Sequence, residues 1–215
     1  MKKLEVALFL VLVTALSACS QSKQDKTSSG KLVGGGCEGC EAIFEYGSKK
    51  LNWVDTLPDY NEQGPKMEIS GTIYQKDGKT PASNVILYIY HTNQKGYYST
   101  KENDPYSKGW GKRHGYIRGW IKTGPDGKYK FYTLRPAHYP ERNAPEHIHP
   151  VIKEADRNEY WIDEYEFDDD PLLTKEKREM AQGRGGKGII SLIKNKKGIL
   201  VANRDIILGL NIPDY

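Results

Sequence analysis

The sequence predicts an all-β chain, a β-sandwich of mixed or antiparallel sheets with long loops. Three observations carry this expectation. The apolar segments of the 215-residue chain are short and are punctuated by turn residues, with 22 Gly and 11 Pro. Several alternate with the period of two that places every second side chain on one face of a strand. Only one stretch reads as a helix, and it is brief. Short strands at regular spacing with Gly/Pro turns between them favour a sandwich over a helical or α/β fold.

Taken in order, Met67 to Tyr74 alternates, with Met67, Ile69, Gly71 and Ile73 on one side and mostly polar residues on the other. Asp77-Gly78 is a turn signal, and Asn84 to His91 is rich in Val, Ile and Tyr. Tyr116 to Thr123 and Tyr129 to Leu134 flank Pro125-Asp126-Gly127, which reads as a hairpin turn. Late strands are expected at Gly188 to Lys194, Ile199 to Ala202 and Asp205 to Leu210, with Asn195 to Gly198 turning the first into the second. The helix is expected over Thr174 to about Gln182, with Gly183 as its stop. No internal repeat is present.

Composition removes several classes of function. Tyrosine supplies 15 residues against 4 Phe and 4 Trp, an aromatic content that disordered chains lack. Net charge is +4, from 32 basic and 28 acidic side chains dispersed along the chain. That balance concerns solubility and gives no reason to expect nucleic acid as a partner. A single long apolar run excludes a multi-span membrane protein.

That run, Val6 to Leu16, follows Lys2 and Lys3. It falls short of the roughly 20 residues needed to span a bilayer and reads as the core of a secretory signal. It ends in Leu16-Ser17-Ala18-Cys19, which resembles the lipobox of bacterial lipoproteins, whose Cys is acylated and becomes the first mature residue. The alternative is an ordinary cleaved signal with an incidental Cys. The expected organisation is a leader over 1–18, a flexible Ser/Lys/Gln/Gly-rich tether over 19–36 and the sandwich over 37–215. Ser20, where Asp would favour inner-membrane retention, points to an extracytoplasmic protein lipid-anchored to the outer membrane of a diderm cell.

Cys37-Glu38-Gly39-Cys40 opens the domain. No further Cys remains for a zinc site of soft ligands, and the preceding Gly-Gly-Gly does not fit the strand a redox motif would follow. A local structural disulfide and a pair of free thiols are both compatible with the sequence, the disulfide being preferred outside the cytoplasm.

All five histidines lie between His91 and His149, and two form His147-Ile148-His149. On a strand, positions i and i+2 share a face, so both imidazoles can reach one ion while Ile148 faces the core. What surrounds them is phenol: Tyr97 and Tyr98 at the end of a strand, Tyr139 between prolines. Two phenolates with two imidazoles suit a hard ion such as Fe(III) better than Zn(II). A zinc hydrolase built on the same His pair lacks an obvious third ligand.

The run Asn93 to Tyr98, then Pro136 to Pro140, then His147 to His149 resembles the intradiol ring-cleavage dioxygenases, non-haem Fe(III) enzymes acting on catechols. The Asp126 to Thr133 segment and Arg204-Asp205-Ile206 match as well, and Tyr139 to Asn143 looks most like the protocatechuate dioxygenase branch. The resemblance covers about Lys66 to Leu210. It implies that Tyr98, Tyr139, His147 and His149 hold the iron, with Tyr98 and His147 equatorial and Tyr139 and His149 axial. It further implies that a catechol binds as the dianion, displaces Tyr139, and is opened by O2 to a muconate-type diacid. Tyr139 is then both ligand and base.

One departure stands out. The family places Arg-Pro-Ala before His-x-His, and here the residues are Ala144-Pro145-Glu146. Arg142 or Arg118 could return the missing charge. Without it, a lipid-anchored binding module of the same fold that does not turn over is the second expectation. His91, His114 and His138 read as supporting or surface groups, Tyr97 as structural, and Trp110, Trp120 and Trp161 as core or pocket walls.

Overall fold

The computed structural model describes residues 31–104 and 109–215. Twelve strands run in chain order: β1 (Val54–Thr56), β2 (Lys66–Tyr74), β3 (Ile86–Tyr90), β4 (Arg118–Lys122), β5 (Lys128–Leu134), β6 (His147–Lys153), β7 (Tyr160–Trp161), β8 (Tyr165–Phe167), β9 (Ile189–Ile190), β10 (Ile193–Lys194), β11 (Leu200–Asn203) and β12 (Ile206–Ile207). Two short helices, α1 (Gly111–His114) and α2 (Lys175–Glu179), join them, with a 3-10 turn at Cys40–Phe44. One sheet has the order β1-β5-β2-β11-β10 with β12 also on β2; the other is β4-β3-β6-β8-β9 with β7 on β6. Both mix parallel and antiparallel pairs. The all-β sandwich expected from the sequence is what forms.

The core lies between the sheets. Met67, Ile69 and Ile73 of β2 and Phe131 of β5 meet Leu87 and Ile89 of β3, Ile121 of β4 and Ile148 and Ile152 of β6. The second sheet is covered on its other face too. Tyr88, Trp120 and Val151 point outward there and pack under Cys40, Ala42 and Ile43. Burial on both faces explains why β3 reads as a nearly continuous apolar run rather than a clean alternation. This outer face also carries His147 and His149 of β6.

Several expectations are corrected. Pro125-Asp126-Gly127 turns the chain, but the flanking segments do not form a hairpin: β4 pairs with β3, and β5 pairs with β1 and β2. The turn carries the chain from one sheet to the other, a step that local turn chemistry cannot distinguish from a hairpin. Gly188 to Lys194 divides into β9 and β10, which lie in different sheets. The helix is shorter than expected, Lys175–Glu179, capped by the Thr174 hydroxyl, which accepts from the Lys177 amide. The final strand contracts to Ile206–Ile207.

The packed chain begins before Cys37. Val33 is 3% exposed, Gly34 N donates to the Pro213 carbonyl, and Lys31 bridges to Arg157. Residues 31–36 therefore belong to the domain rather than to a tether, because Leu32-Val33 supplies the apolar anchor that composition alone conceals. The leader, Cys19 and the rest of the tether lie outside the described residues. No helix among the described residues is long and apolar enough to cross a membrane.

Candidate metal centre

β6 lies between β3 and β8, with Ile148 paired to Tyr165, His147 to Glu166 and His149 to Tyr90. Ile148 points into the core, so His147 and His149 project together from the outer face, as the i, i+2 spacing requires.

The phenols come from two loops. Tyr98 follows a turn in which Asn93 Oδ1 accepts from the amides of Lys95 (2.9 Å) and Tyr97 (3.2 Å). Tyr139 sits in the irregular segment after β5. The loops are bound to each other: Thr92 Oγ1 donates to the Ala137 carbonyl at 2.6 Å. Gly96, with φ +79°, passes so close to the other loop that a Cβ there would run into the His138 carbonyl. Gly96→Ala combines that collision with a left-handed backbone. It is expected to cost more than about 1 kcal/mol, read as a Tm lowered by at least about 3 °C.

The four predicted residues converge. Tyr98 Oη lies 2.6 Å from Tyr139 Oη and 2.8 Å from His149 Nε2. Tyr139 Oη is 3.1 Å from His147 Nε2 and 3.3 Å from His149 Nε2, and the two Nε2 atoms are 3.1 Å apart. The far edges of both rings are fixed. His147 Nδ1 donates to the Pro145 carbonyl (2.7 Å), and His149 Nδ1 faces Glu164 Oε1 (2.8 Å). With hydrogens on Nδ1, each neutral imidazole turns a lone pair toward the phenols.

That arrangement fits a cation. Two phenolic hydrogens must serve every contact among four donor atoms. If Tyr98 donates to His149 and Tyr139 to His147, nothing is left between the two oxygens or between the two nitrogens. A cation at the centre resolves both acceptor–acceptor contacts. Donors about 2.1 Å from one ion are spaced about 3.0–3.6 Å apart at ordinary coordination angles; the contacts of 3.1, 3.1 and 3.3 Å fall in that range, and the two made by Tyr98 Oη are shorter. Burial, and then the neighbouring phenol, push the Tyr98 hydroxyl strongly upward, and burial raises Tyr139 less. Burial also lowers His147, favouring its neutral form. Ionising these phenols therefore requires a positive charge among them.

Two supports were not visible in the sequence. Tyr90 stacks on His149 with ring centres 4.6 Å apart, and His114 stacks on Tyr90 at 3.8 Å. His114, pushed down to about 3 chiefly by burial, is a neutral wall of this stack, and its Nδ1 meets Tyr88 Oη at 2.9 Å. The other is Glu164. Burial raises its carboxyl, but the hydrogen bond from His149 Nδ1 leads the effects that outweigh this and leave it at about 2. Glu164 lies near enough to share an ion with both histidines, yet its carboxylate holds the Nδ1 edge of His149, away from the phenols. A carboxylate that orients a ligand imidazole is a common companion of metal sites. The alternation that places Glu164 beside His149 belongs to β8, a three-residue strand too short to leave a periodic signal.

The other candidates separate. Arg118 is buried, pairs with Glu45 at 2.8 Å and lies over the Trp120 ring, so it does not return the missing charge. Arg142 stands 5.7 Å from the centre of the Tyr139 ring. His91 is buried against Thr133 Oγ1 at 2.6 Å, and His138 is on the surface. Tyr97 is 54% exposed. Trp120 is core, and Trp161 lines a cleft of about 550 Å³ that reaches His149, Glu164 and Ala144. Cys37 and Cys40, joined as a disulfide, form part of its rim.

Residues 44–177, more than half of the chain, match the family described as Dioxygenase. The chain belongs to the intradiol ring-cleavage dioxygenases. Among curated relatives it is similar to catechol 1,2-dioxygenase 1 of Acinetobacter lwoffii, with 32% identity over 137 residues, 56% of this chain and 41% of that protein. Catechol 1,2-dioxygenase of Acinetobacter baylyi is 29% identical over 139 residues, covering 53% and 42%. The chain thus spans about two fifths of the length of these relatives. Two solved structures share the fold. The dioxygenase domain of a dioxygenase–carbohydrate-binding protein fusion from Streptomyces sp. SirexAA-E gives a TM-score of 0.55 at 19% identity, over 74% of this chain and 91% of that one. Chlorocatechol 1,2-dioxygenase from Pseudomonas putida gives 0.56 at 17% identity, over 75% and 67%.

Proposed function

We propose that this intradiol dioxygenase holds Fe(III) through Tyr98, Tyr139, His147 and His149 and cleaves a catechol-type ring with O2 to a muconate-type diacid. The observation that carries the reading is the convergence of two phenols and two imidazoles with too few hydrogens for their contacts. Hard oxygen donors and imidazole suit Fe(III). Bound iron would supply Lewis acidity and make a coordinated catecholate reactive toward O2.

The chain supplies position and proton transfer. Tyr139 lies on an irregular loop and can move; its phenolate oxygen accepts a proton from an incoming catechol hydroxyl. Tyr98 is wedged beside Tyr90 and His149 and stays in place. Glu164 and Tyr90 hold His149 at its edge and its face. The cleft beside His149 receives the ring, with Trp161 as an apolar wall. Oxygen uptake equimolar with loss of an unsubstituted catechol, with growth of muconate absorbance, is the expected result. Tight catechol binding without oxygen uptake would favour the second reading, a binding module, which the Ala144 position supports.

The cell address is part of the proposal: a lipid-anchored, extracytoplasmic protein, with the outer membrane favoured. The Leu16 to Cys19 box supports it, and the Cys37–Cys40 disulfide fits an oxidising compartment. Cys19→Ala is expected to shift the protein to the soluble extracytoplasmic fraction or leave an unprocessed precursor. Unchanged processing and membrane fractionation would remove the anchor from the account.

A further inference from the structure

We propose that the cleft beside His149 selects catechols whose ring substituent carries an ammonium group and disfavours those whose substituent carries a carboxylate. This rests on the proposed dioxygenase reading. The cleft reaches His149 of the phenol–imidazole quartet, so a catechol held at the quartet by its two oxygens is placed to send its substituent along the cleft wall.

That wall is acidic. His147 pairs with Glu166 across β6 and β8, so Glu164 and Glu166 stand on the same face as the two histidines. Both line the cleft, as do Asp163 and Glu38. Glu164 uses Oε1 on His149, and no described residue bonds its second oxygen; its side chain is 41% exposed. The Glu166 carboxylate has no hydrogen bond or ion pair among the described residues. Burial first, and then the charges of Glu164, Asp163 and Asp170, push its carboxyl above its ordinary value, against a smaller opposing pull from Lys177.

Cations offset this only in part: Arg184 lies over the Trp161 ring at 3.3 Å and its charge faces Asp163, not Glu164 or Glu166. Arg113 pairs with Glu38 only. Among the described residues lining the cleft, Lys177 is the one ammonium or guanidinium, and its Nζ is taken up by the carbonyls of Asn143 and Leu172. Ala144, where the family carries arginine, leaves no guanidinium for an anionic group. An ammonium entering the cleft meets two carboxylate groups with free acceptor oxygens, those of Glu164 and Glu166. A carboxylate meets like charge in a partly desolvated space.

The test compares 4-(2-aminoethyl)catechol with 4-(2-carboxyethyl)catechol, equal in length and opposite in charge. Dissociation constants come from anaerobic titration of the iron-loaded protein followed in the visible, and kcat/KM from oxygen uptake. The amine is expected to be favoured by about tenfold or more in both, less so at high salt. Glu166→Gln, with its fold checked by circular dichroism and melting, should cut the ratio several-fold. A wild-type ratio of one or below, or a ratio indifferent to Glu166→Gln, overturns the inference. Cleavage of unsubstituted catechol without charge preference overturns it while sparing the proposed activity. A binding preference with no cleavage of any catechol supports it and overturns the activity instead.

Discussion

Protein carrying His147→Ala or His149→Ala is expected to retain well under one equivalent of iron, with the fold intact by circular dichroism. Both side chains leave the same strand face and turn Nε2 atoms 3.1 Å apart toward the same phenols. Neither ring contributes to the inter-sheet core, whose nearest member is Ile148. Removing either imidazole takes away one of four donors to the ion whose charge the two phenolic oxygens, 2.6 Å apart, need in order to ionise. The loss should be larger for His147, because its ring is buried and fixed by the Pro145 carbonyl, so water cannot easily take its place. Full iron occupancy in either variant would make the pair structural.

The two tyrosines should separate. Tyr139→Phe is expected to keep iron, because the donor it removes is the one proposed to leave when a catechol binds, but to lose the base that receives a catechol proton. Positioned proton transfer is worth about 10²–10⁴-fold, and turnover should fall within that range. Tyr98→Phe removes the oxygen that lies between Tyr139 and His149. It should cost iron retention or shift the visible band before any substrate arrives. Stopped-flow absorbance on anaerobic mixing with a catechol distinguishes them. Wild-type binding kinetics in Tyr139→Phe would move the base elsewhere.

The four residues that converge were legible because their signals are local. His-x-His on a strand forces two imidazoles to one face, and Asn93 to Tyr98 and Pro136 to Pro140 are compact motifs whose order is readable without a structure. The sandwich was legible for the same reason, through the alternation of Met67 to Tyr74 and the turn residues between segments. What was hidden depends on partners distant in the chain. Nothing near Pro125-Asp126-Gly127 records that β4 and β5 enter different sheets. Glu164 gains its place from the β6–β8 register, and Tyr90 gains its place by pairing with His149 across β3 and β6. Val33 is apolar in a polar stretch, and only its packing reveals that the domain has begun. The arginine question turned on packing as well: Arg118 is buried against Glu45, which no spacing predicts.

The central claim is that two phenolates and two imidazoles share one Fe(III), and the most direct measurement is iron content with the visible spectrum of the purified protein. The account predicts about one iron per chain and a broad phenolate-to-iron charge-transfer band that shifts when a catechol is added without oxygen. Protein that is fully loaded with metal yet colourless, before and after catechol, would contradict it.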